Sequence, residues 1–308
     1  MDFVHLHNHS HYSLLDGLPQ IGPLIKRVKV LGMKSIALTD HGAMYGVIEF
    51  YQEALKQDVK PIIGVETYVA PYKLSDKRPR IDDKNSHLTL IARDLEGYRN
   101  LMKLVSIAHL EGFYYKPRVD HELLKRYGAG LLALSGCVKG EVPTAIQAGH
   151  MDRARELIHE YQNIFGVENF FLEIQRNDKT GNFTQGQTVN QGLITLSKEL
   201  NLHLVATGDV HYLEQDDAEA QDILVCVSTG KTVNEKERLD LREFDLSLKS
   251  PEQMAELFQD FPEAVSNTVK VAEKCNLEIT LKKLHFPKFD IPASHTPDTL
   301  LRENALRG

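Results

Sequence analysis

Short runs of apolar and β-branched residues alternate along the chain with longer segments that carry apolar residues at helical spacing. Seven runs are predicted to be strands, at residues 3–7, 35–39, 61–69, 87–92, 130–135, 169–174 and 203–207. Between the first two, Leu24, Val28 and Leu31 recur at the spacing of one helix face. This alternation predicts parallel strands joined by crossover helices.

A closed or nearly closed (β/α) barrel follows most naturally from this order, although a doubly wound open sheet gives the same alternation. Two segments lie outside the pattern. Residues 71–86 are polar and charged and are predicted to form a long surface loop. Residues 284–308 contain three prolines followed by a helical start. We therefore predict one domain over residues 1–276 and the beginning of another over residues 277–308.

Composition and charge narrow the possible function classes. The chain has 308 residues, 42% hydrophobic and 26% charged, as in ordinary globular proteins. Its formal charge of −7 repels nucleic acid unless metal ions or local basic patches change the field. Its cysteines, Cys137, Cys226 and Cys275, lie far apart, which fits a reducing cytoplasm better than a disulfide framework. No apolar run approaches the ~20 residues of a membrane span, so we expect a cytoplasmic protein without membrane contact.

Histidines are concentrated at the N-terminus. Of fourteen, His5, His7, His9 and His11 fall within the first eleven residues at a spacing of two. On a strand this spacing places all four side chains on one face. Metal coordination explains such a row better than a polar strand edge does, because neutral imidazole is a common metal ligand.

Further potential ligands cluster where other predicted strands end. They are Asp40, His41, Glu66, Cys137, Asp209 and His211. Each alone could be a helix cap, a surface carboxylate or a small buried side chain, but a barrel would bring all of them to one rim. Imidazoles mixed with carboxylates and a thiol suit Zn²⁺, Mn²⁺ or Fe²⁺ better than Mg²⁺ or Ca²⁺. There are too many candidates for one ion, and sites of two or three ions activate water and neutralise phosphate charge, which predicts phosphoester hydrolysis.

The sequence contains neither of two common nucleotide-binding motifs. The chain has no GxxxxGK[ST] loop and no GxGxxG after a strand.

Several long segments, in this order, resemble the PHP (polymerase and histidinol phosphatase) family, and in particular the alpha subunits of bacterial DNA polymerase III. They are HLHNHSHYSLLDG, LGMKSIALTDHGAMYGVIEFYQEA, KPIIGVETYVAP, HLTLIARDLEGYRNLMKLVS, FYYKPRVD, LLALSGCVKGEVP and ATGDVHY. The match runs over about residues 3–308. The resemblance implies a distorted seven-stranded (β/α) barrel followed by the first residues of a polymerase palm domain.

The resemblance also implies a set of nine metal ligands. Carried over by position, they are His7, His9, Asp16, His41, Glu66, His87, Cys137, Asp209 and His211. Catalysis is expected to depend on Asp16, Asp209 and His211. His87 begins its predicted strand instead of ending it, so His109 is a substitute candidate for it. His5 and His11 are expected near the ligands or at the rim, outside the set.

An intact ligand set implies a working hydrolase that binds two or three divalent ions (Zn, Mn or Fe), and the expected activity is a 3′–5′ exonuclease used in proofreading. The catalytic carboxylates of the polymerase lie beyond this segment in the family, so the fragment should not polymerise. Lys116, Arg118 and Lys139 are expected to contact substrate phosphates. The expected partners are a DNA 3′ end, the remaining polymerase III alpha domains and other replisome subunits.

Two alternatives remain open at this stage. One is a metal-loaded module that braces the polymerase without hydrolysing anything, and the other is a stand-alone phosphomonoesterase of the histidinol phosphatase type.

Overall fold

The computed structural model describes residues 2–14, 16–179, 184–284, 286–287 and 289–308. It divides into two compact units, Met1–Leu277 and Glu278–Gly308. The strands are β1 (Ser35–Leu38), β2 (Lys60–Val69), β3 (Ser86–Ala92), β4 (Arg118–Val119), β5 (Leu131–Leu134), β6 (Phe170–Gln175) and β7 (Leu204–Thr207). The helices are α1 (Ile21–Val30), α2 (Val47–Lys56), α3 (Leu95–Leu110), α4 (His121–Tyr127), α5 (Glu141–Gln147), α6 (Met151–Phe165), α7 (Thr184–Leu200), α8 (Ala218–Thr229), α9 (Pro251–Leu257), α10 (Pro262–Lys274) and α11 (Pro297–Arg307).

The strands of the first unit form one sheet in the order β1-β2-β3-β5-β6-β7, with β4 paired to β2. This confirms the α/β fold and six of the seven predicted strands. The short β4 was missed because two residues are too few to show a period.

The prediction that all strands run parallel is wrong for β3, which is antiparallel to both β2 and β5. The reason is the connection between β2 and β3. Residues 70–85 form the predicted loop and contain no crossover helix. The chain therefore reverses direction.

The predicted first strand, residues 3–7, is an extended segment and not part of a regular ladder. Its backbone hydrogen bonds are shared between two edges of the sheet. On one side the Ala37 N–H of β1 donates to the His5 carbonyl (2.9 Å), and on the other the His9 N–H donates to the carbonyl of Val210, beyond β7 (2.8 Å). The segment thus bridges the two edges, which favours the distorted barrel over an open doubly wound sheet.

The core packs the sheet against α10. Its buried members are Val4, Leu6, Ala37, Ile62, Ile91, Leu132, Leu134, Phe171, Val205, Val271, Ala272 and Cys275. Val4 and Leu6 alternate with His5, His7 and His9, so the same segment supplies core side chains and polar ones. In the part of the chain that the structure describes, no helix is long and apolar enough to cross a lipid bilayer.

The second unit contains α11. Its first turn is capped by Thr296, whose hydroxyl accepts from the Thr299 N–H at 3.2 Å. Among the described residues of this helix no side chain is buried, so it has little core of its own.

Candidate metal centre

The predicted ligands lie where strands end or begin at one rim of the sheet. His41 and Glu66 form a bridge just beyond β1, and Asp209 and His211 follow β7. His87, which begins its strand, reaches the same rim because β3 runs antiparallel, so it pairs with Tyr68 near the end of β2. The antiparallel strand therefore removes the objection that the sequence raised against His87.

Asp40 organises the loop that carries Asp16. Its carboxylate accepts from the Ser10 N–H (2.7 Å) and from the hydroxyls of Ser10 (2.9 Å) and Ser13 (2.8 Å). Gly17 completes this turn, since a Cβ there would lie 2.1 Å from the Ser10 carbonyl oxygen. Burial raises the pKa of Asp40 despite these donors. Asp40 is therefore a structural anchor, and its neighbour His41 is the side chain that faces the ligands.

Glu66 is the centre of the first ligand cluster. One oxygen lies 2.6 Å from His41 Nδ1, and the other lies 2.7 Å from His87 Nδ1 and 3.3 Å from His7 Nε2. Cys137 Sγ approaches the same carboxylate at 3.8 Å. Burial, the largest single effect, raises the pKa of Glu66, but His87, His41 and His7 together outweigh it and hold that pKa well below its usual range.

Asp16 and Asp209 join the remaining imidazoles. Asp16 lies 3.1 Å from His41 Nε2 and 3.6 Å from His211 Nε2, and Asp209 lies 3.3 Å from His9 Nε2. Burial raises the pKa of both carboxyls, but the surrounding histidines lower it by more. The net pKa of each carboxyl therefore falls below its usual value. Asp209 also adopts a left-handed backbone (φ 48°), an uncommon conformation that often marks a functional position.

The pKa values of two neighbouring imidazoles, His9 and His41, are shifted in opposite directions. Burial lowers the pKa of His9 to about 3, helped by its neighbours His41 and His211. Burial also lowers the pKa of His41, but Asp16 and Glu66 reverse this and raise it to about 10. Closely packed groups with such opposed pKa values are typical of a functional site.

Among the described residues, four buried atoms of this cluster make no hydrogen bond of regular geometry, although each imidazole nitrogen lies close to a carboxylate oxygen: His7 Nε2, His9 Nε2, His41 Nδ1 and Glu66 Oε2. Unsatisfied buried polar atoms are costly, so four in one place call for a ligand. Three groups of residues each bring their ligand atoms within 4.8 Å of one another. The groups are His9 with His41 and His211, His7 with His9 and Glu66, and Glu66 with His87 and Cys137. Shared members join the groups, and the nitrogen, oxygen and sulfur donors fit divalent metal ions.

Cys137 is consistent with a cation at this place. Burial, together with Glu66 and Asp209, raises the pKa of its thiol well above the usual value. A metal ligand must be the thiolate, which a bound cation stabilises.

Glu173 is a site residue that the sequence analysis missed. Its side chain is fully buried, and its Oε1 accepts from His7 Nδ1 (2.7 Å), from the Thr207 hydroxyl (2.5 Å) and from Gln175 Nε2 (2.9 Å). A carboxylate behind a ligating histidine fixes the ring and its tautomer. The sequence feature that could have identified Glu173 is an acidic residue in the middle of the mainly apolar strand FFLEIQ.

The predicted phosphate contacts separate into two kinds. Arg118 is fully buried, and its guanidinium donates to the carbonyls of Gly112 (2.9 Å), Asp82 (2.9 Å), Leu74 (3.1 Å) and Asp76 (2.9 Å). The prediction that it contacts substrate is therefore wrong, because its donors hold the β2–β3 loop.

Lys116 and Lys139 remain candidates for substrate phosphate. Lys116 Nζ lies 5.5 Å from the ring centroid of Tyr68, which neighbours His41. Lys139 is exposed and follows Cys137. Burial lowers the pKa of Lys116, Asp16 opposes that, and Lys139 adds to the lowering, so both ammonium groups lie near the ligands.

The other predicted histidines lie outside the three ligand groups. His5 Nε2 lies 2.8 Å from the Lys249 carbonyl, and His109 Nε2 lies 3.0 Å from that of Gly42. His11 stacks beside Tyr12. His109 is not needed as a substitute, because His87 lies 3.6 Å from Cys137 Sγ and 2.7 Å from Glu66.

A cavity of about 580 Å³ opens from the ligands. Its near end is lined by Asp16, His41, Glu66, His87, Cys137, Asp209 and His211. Its far end is lined by residues from β6, α7, α9 and the segments around them. The cluster therefore faces a space large enough for a substrate.

Comparison with known proteins places the site in a family. The chain is similar to DNA polymerase III subunit alpha from Borreliella burgdorferi, at 43% identity over 94% of this chain, and from Helicobacter pylori strain 26695, at 44% over 91%. It spans about a quarter of the length of these relatives, 25% and 23%. A solved structure from Bifidobacterium adolescentis, described as a metal-dependent phosphoesterase, covers 83% of this chain and 96% of its own, with 12% identity and a TM-score of 0.44. The PHP domain model matches residues 5–177, more than half of the chain, and the chain therefore belongs to the PHP domain family.

Proposed function

We propose that this chain is a metal-dependent phosphodiesterase, a 3′–5′ exonuclease, and that it is the PHP part of a DNA polymerase III alpha subunit. The observation that carries the proposal is the convergence of buried imidazole, carboxylate and thiol groups around Glu66 in three ligand groups that share members. These groups line a cavity of about 580 Å³, which a metal-loaded bracing module would not need. The polymerase relatives favour DNA over a small phosphomonoester as substrate.

The residues have separable roles in this proposal. His7, His9, His41, Glu66, His87 and Cys137 would hold two or three ions of Zn, Mn or Fe, with Asp16, Asp209 and His211. Bound ions would activate water and neutralise the phosphate charge. Asp16 and Asp209 carry the negative charge that the ions require, and Glu173 keeps His7 Nε2 turned inward. Lys116 and Lys139 would bind phosphates of the strand.

The proposal includes partners and location. A DNA 3′ end is the substrate, the remaining alpha domains and other replisome subunits are the partners, and the cytoplasm is the place of action. Residues 277–308 are proposed to be a linker and the beginning of the polymerase palm domain.

The test compares three substrates with protein purified without chelator. They are a 3′-labelled primer with a mismatched end, a 5′-labelled primer and p-nitrophenyl phosphate, each assayed with Mn²⁺ or Zn²⁺ and then with EDTA. Release of nucleoside 5′-monophosphates from the 3′ end, abolished by EDTA, is expected. Turnover of the monoester alone would assign a small-molecule phosphatase. Absence of turnover of all three substrates would assign the bracing module.

A further inference from the structure

The cavity beside the metal ligands is larger than a phosphate group needs. Its volume of about 580 Å³ lies in the usual range for small-molecule sites, roughly 300–1,000 Å³. Its far end is lined by apolar side chains, among them Ile194, Leu241, Phe244 and Phe261. A phosphate alone would leave this end unused.

Two charged side chains of the far end, Arg176 and Asp260, neutralise each other. Arg176 forms two hydrogen bonds with Asp260, at 2.6 and 2.7 Å, and a third with the Leu257 carbonyl at 2.8 Å. Its guanidinium also lies over the rings of Phe258 and Phe261, 5.2 and 5.6 Å from their centroids. Arg176 is thus occupied by groups of the protein and packs against these aromatic side chains.

The polar side chains at the far end suit a flat heterocycle that carries hydrogen-bond donors and acceptors along its edge. The side chains of Gln187 and Gln191 line the same wall as Ile194 on α7. Amide groups can both donate to and accept from the edge of a base. An apolar slot with an aromatic wall and amides at its edge favours a nucleobase over a second phosphate.

From this arrangement we infer that the far end of the cavity binds the nucleoside of the nucleotide being removed, with its 5′-phosphate at the metal ligands. The inference rests on the proposed function and names the part of the substrate that the site recognises. In the reaction a water oxygen bonds to that phosphorus, and the bond to the 3′-oxygen of the preceding nucleotide breaks. One proton of the water goes to this 3′-oxygen and the other is released, leaving a nucleoside 5′-monophosphate in the cavity and a 3′-hydroxyl on the strand.

The test uses two chromogenic diesters that differ only in the group under question. The p-nitrophenyl ester of thymidine 5′-monophosphate carries a nucleoside, whereas bis(p-nitrophenyl) phosphate does not. We expect the wild type to prefer the nucleoside ester. Phe244→Ala and Phe261→Ala should each raise its KM about tenfold, a much larger change than on the other diester. Phe113→Ala, at an exposed phenylalanine outside the cavity lining, is the matched control and should change neither KM.

A binding measurement separates this inference from the proposed function. Calorimetry of the metal-loaded protein with thymidine 5′-monophosphate and with inorganic phosphate should show tighter binding of the nucleotide, lost in Phe244→Ala and retained for phosphate. If neither diester is hydrolysed, the exonuclease proposal fails and the calorimetry alone decides the subsite. Equal affinity for nucleotide and phosphate, or equal effects of both variants on the two diesters, overturns the subsite. Thermal unfolding, with Phe244→Leu as a milder variant, verifies that the variants fold.

Discussion

At the scale of single residues, Asp209 combines an uncommon backbone conformation with a central place among the ligands. Asn tolerates the same left-handed conformation, so Asp209→Asn should fold while removing one charge. We expect hydrolysis to fall on the order of 100-fold or more, with reduced metal content, because a ligating carboxylate is lost. Metal analysis and turnover measure this, and the exposed Asp216→Asn is the matched control. Wild-type cleavage at equal metal loading would contradict the assignment of Asp209.

Glu173 should act on the metal only through His7. Glu173→Gln keeps a hydrogen-bond acceptor near His7 Nδ1 but removes the charge that orients and polarises the ring. Metal affinity should fall about 10–100-fold, with a smaller effect on the fold than Glu173→Ala, which leaves buried donors unpaired. Competition with a metal-binding indicator gives the affinity. Equal metal affinity of Glu173→Gln and wild type would show that the carboxylate serves packing alone.

At the scale of elements, Arg118 joins the short β4 to the loop between β2 and β3. A lysine cannot reproduce the fork of donors that binds three carbonyls of this loop and the Gly112 carbonyl after α3. Arg118→Lys should lower the free energy of unfolding by about 2–4 kcal/mol and speed proteolysis within residues 70–85. Chemical denaturation and limited proteolysis measure these effects, with Arg80→Lys in the exposed part of the same loop as control. Unchanged stability with weakened DNA binding would restore the substrate role.

His121 links the first turns of α4 and α5 to α6. Its Nε2 lies 2.7 Å from Glu141 and its Nδ1 lies 3.0 Å from Glu160. Burial lowers the pKa of His121, but the hydrogen bond and charge of Glu141, with Glu160, reverse this and raise it above the usual value. The protonated His121 therefore stabilises the fold fully below its unfolded-state pKa of about 6.5. This stabilisation is lost as the pH rises through the folded-state pKa of His121.

The measurable consequence is a pH-dependent stability that His121→Gln abolishes. Between about pH 6 and pH 9 the wild type should lose roughly 1 kcal/mol of unfolding free energy relative to the variant, since the pair is partly exposed. The exposed His159→Gln is the matched control. A wild type whose stability changed with pH in parallel with His121→Gln would show that the histidine is not charged in this cluster.

The same scale shows what could be predicted from the sequence. Buried strands were identified because uninterrupted apolar runs mark them, and the clustered histidines and carboxylates could be proposed as ligands because they lie near the ends of those runs. The direction of β3 could not be read, because a strand has the same period in either direction. The roles of Arg118 and Glu173 depend on partners 36 and 166 positions away, and no local pattern encodes those contacts. Metal identity and substrate remain predictions.

At the scale of the whole molecule, the net charge of −7 opposes DNA binding, and the phosphate contacts proposed for Lys116 and Lys139 would have to offset it. If Lys116 and Lys139 supply the main phosphate contacts, the logarithm of the single-strand binding constant should fall with log salt at a slope of about −1.4. Replacing either lysine by glutamine should reduce the slope by about 0.7, because each contact releases one set of counterions.

Fluorescence anisotropy of a labelled oligonucleotide, titrated over a range of salt concentrations, measures these slopes. Lys270→Gln is the matched control, because Lys270 Nζ binds Asn267, whose side chain donates to the Leu204 carbonyl at the start of β7. That end of β7 is opposite to the rim with Asp209. The salt-dependence slope of Lys270→Gln should therefore equal that of the wild type. A slope steeper than about −3, unaffected by either lysine, would mean that another cationic surface binds the strand. Weak, salt-sensitive binding that either lysine replacement reduces would instead support the proposed contacts of Lys116 and Lys139 with the strand.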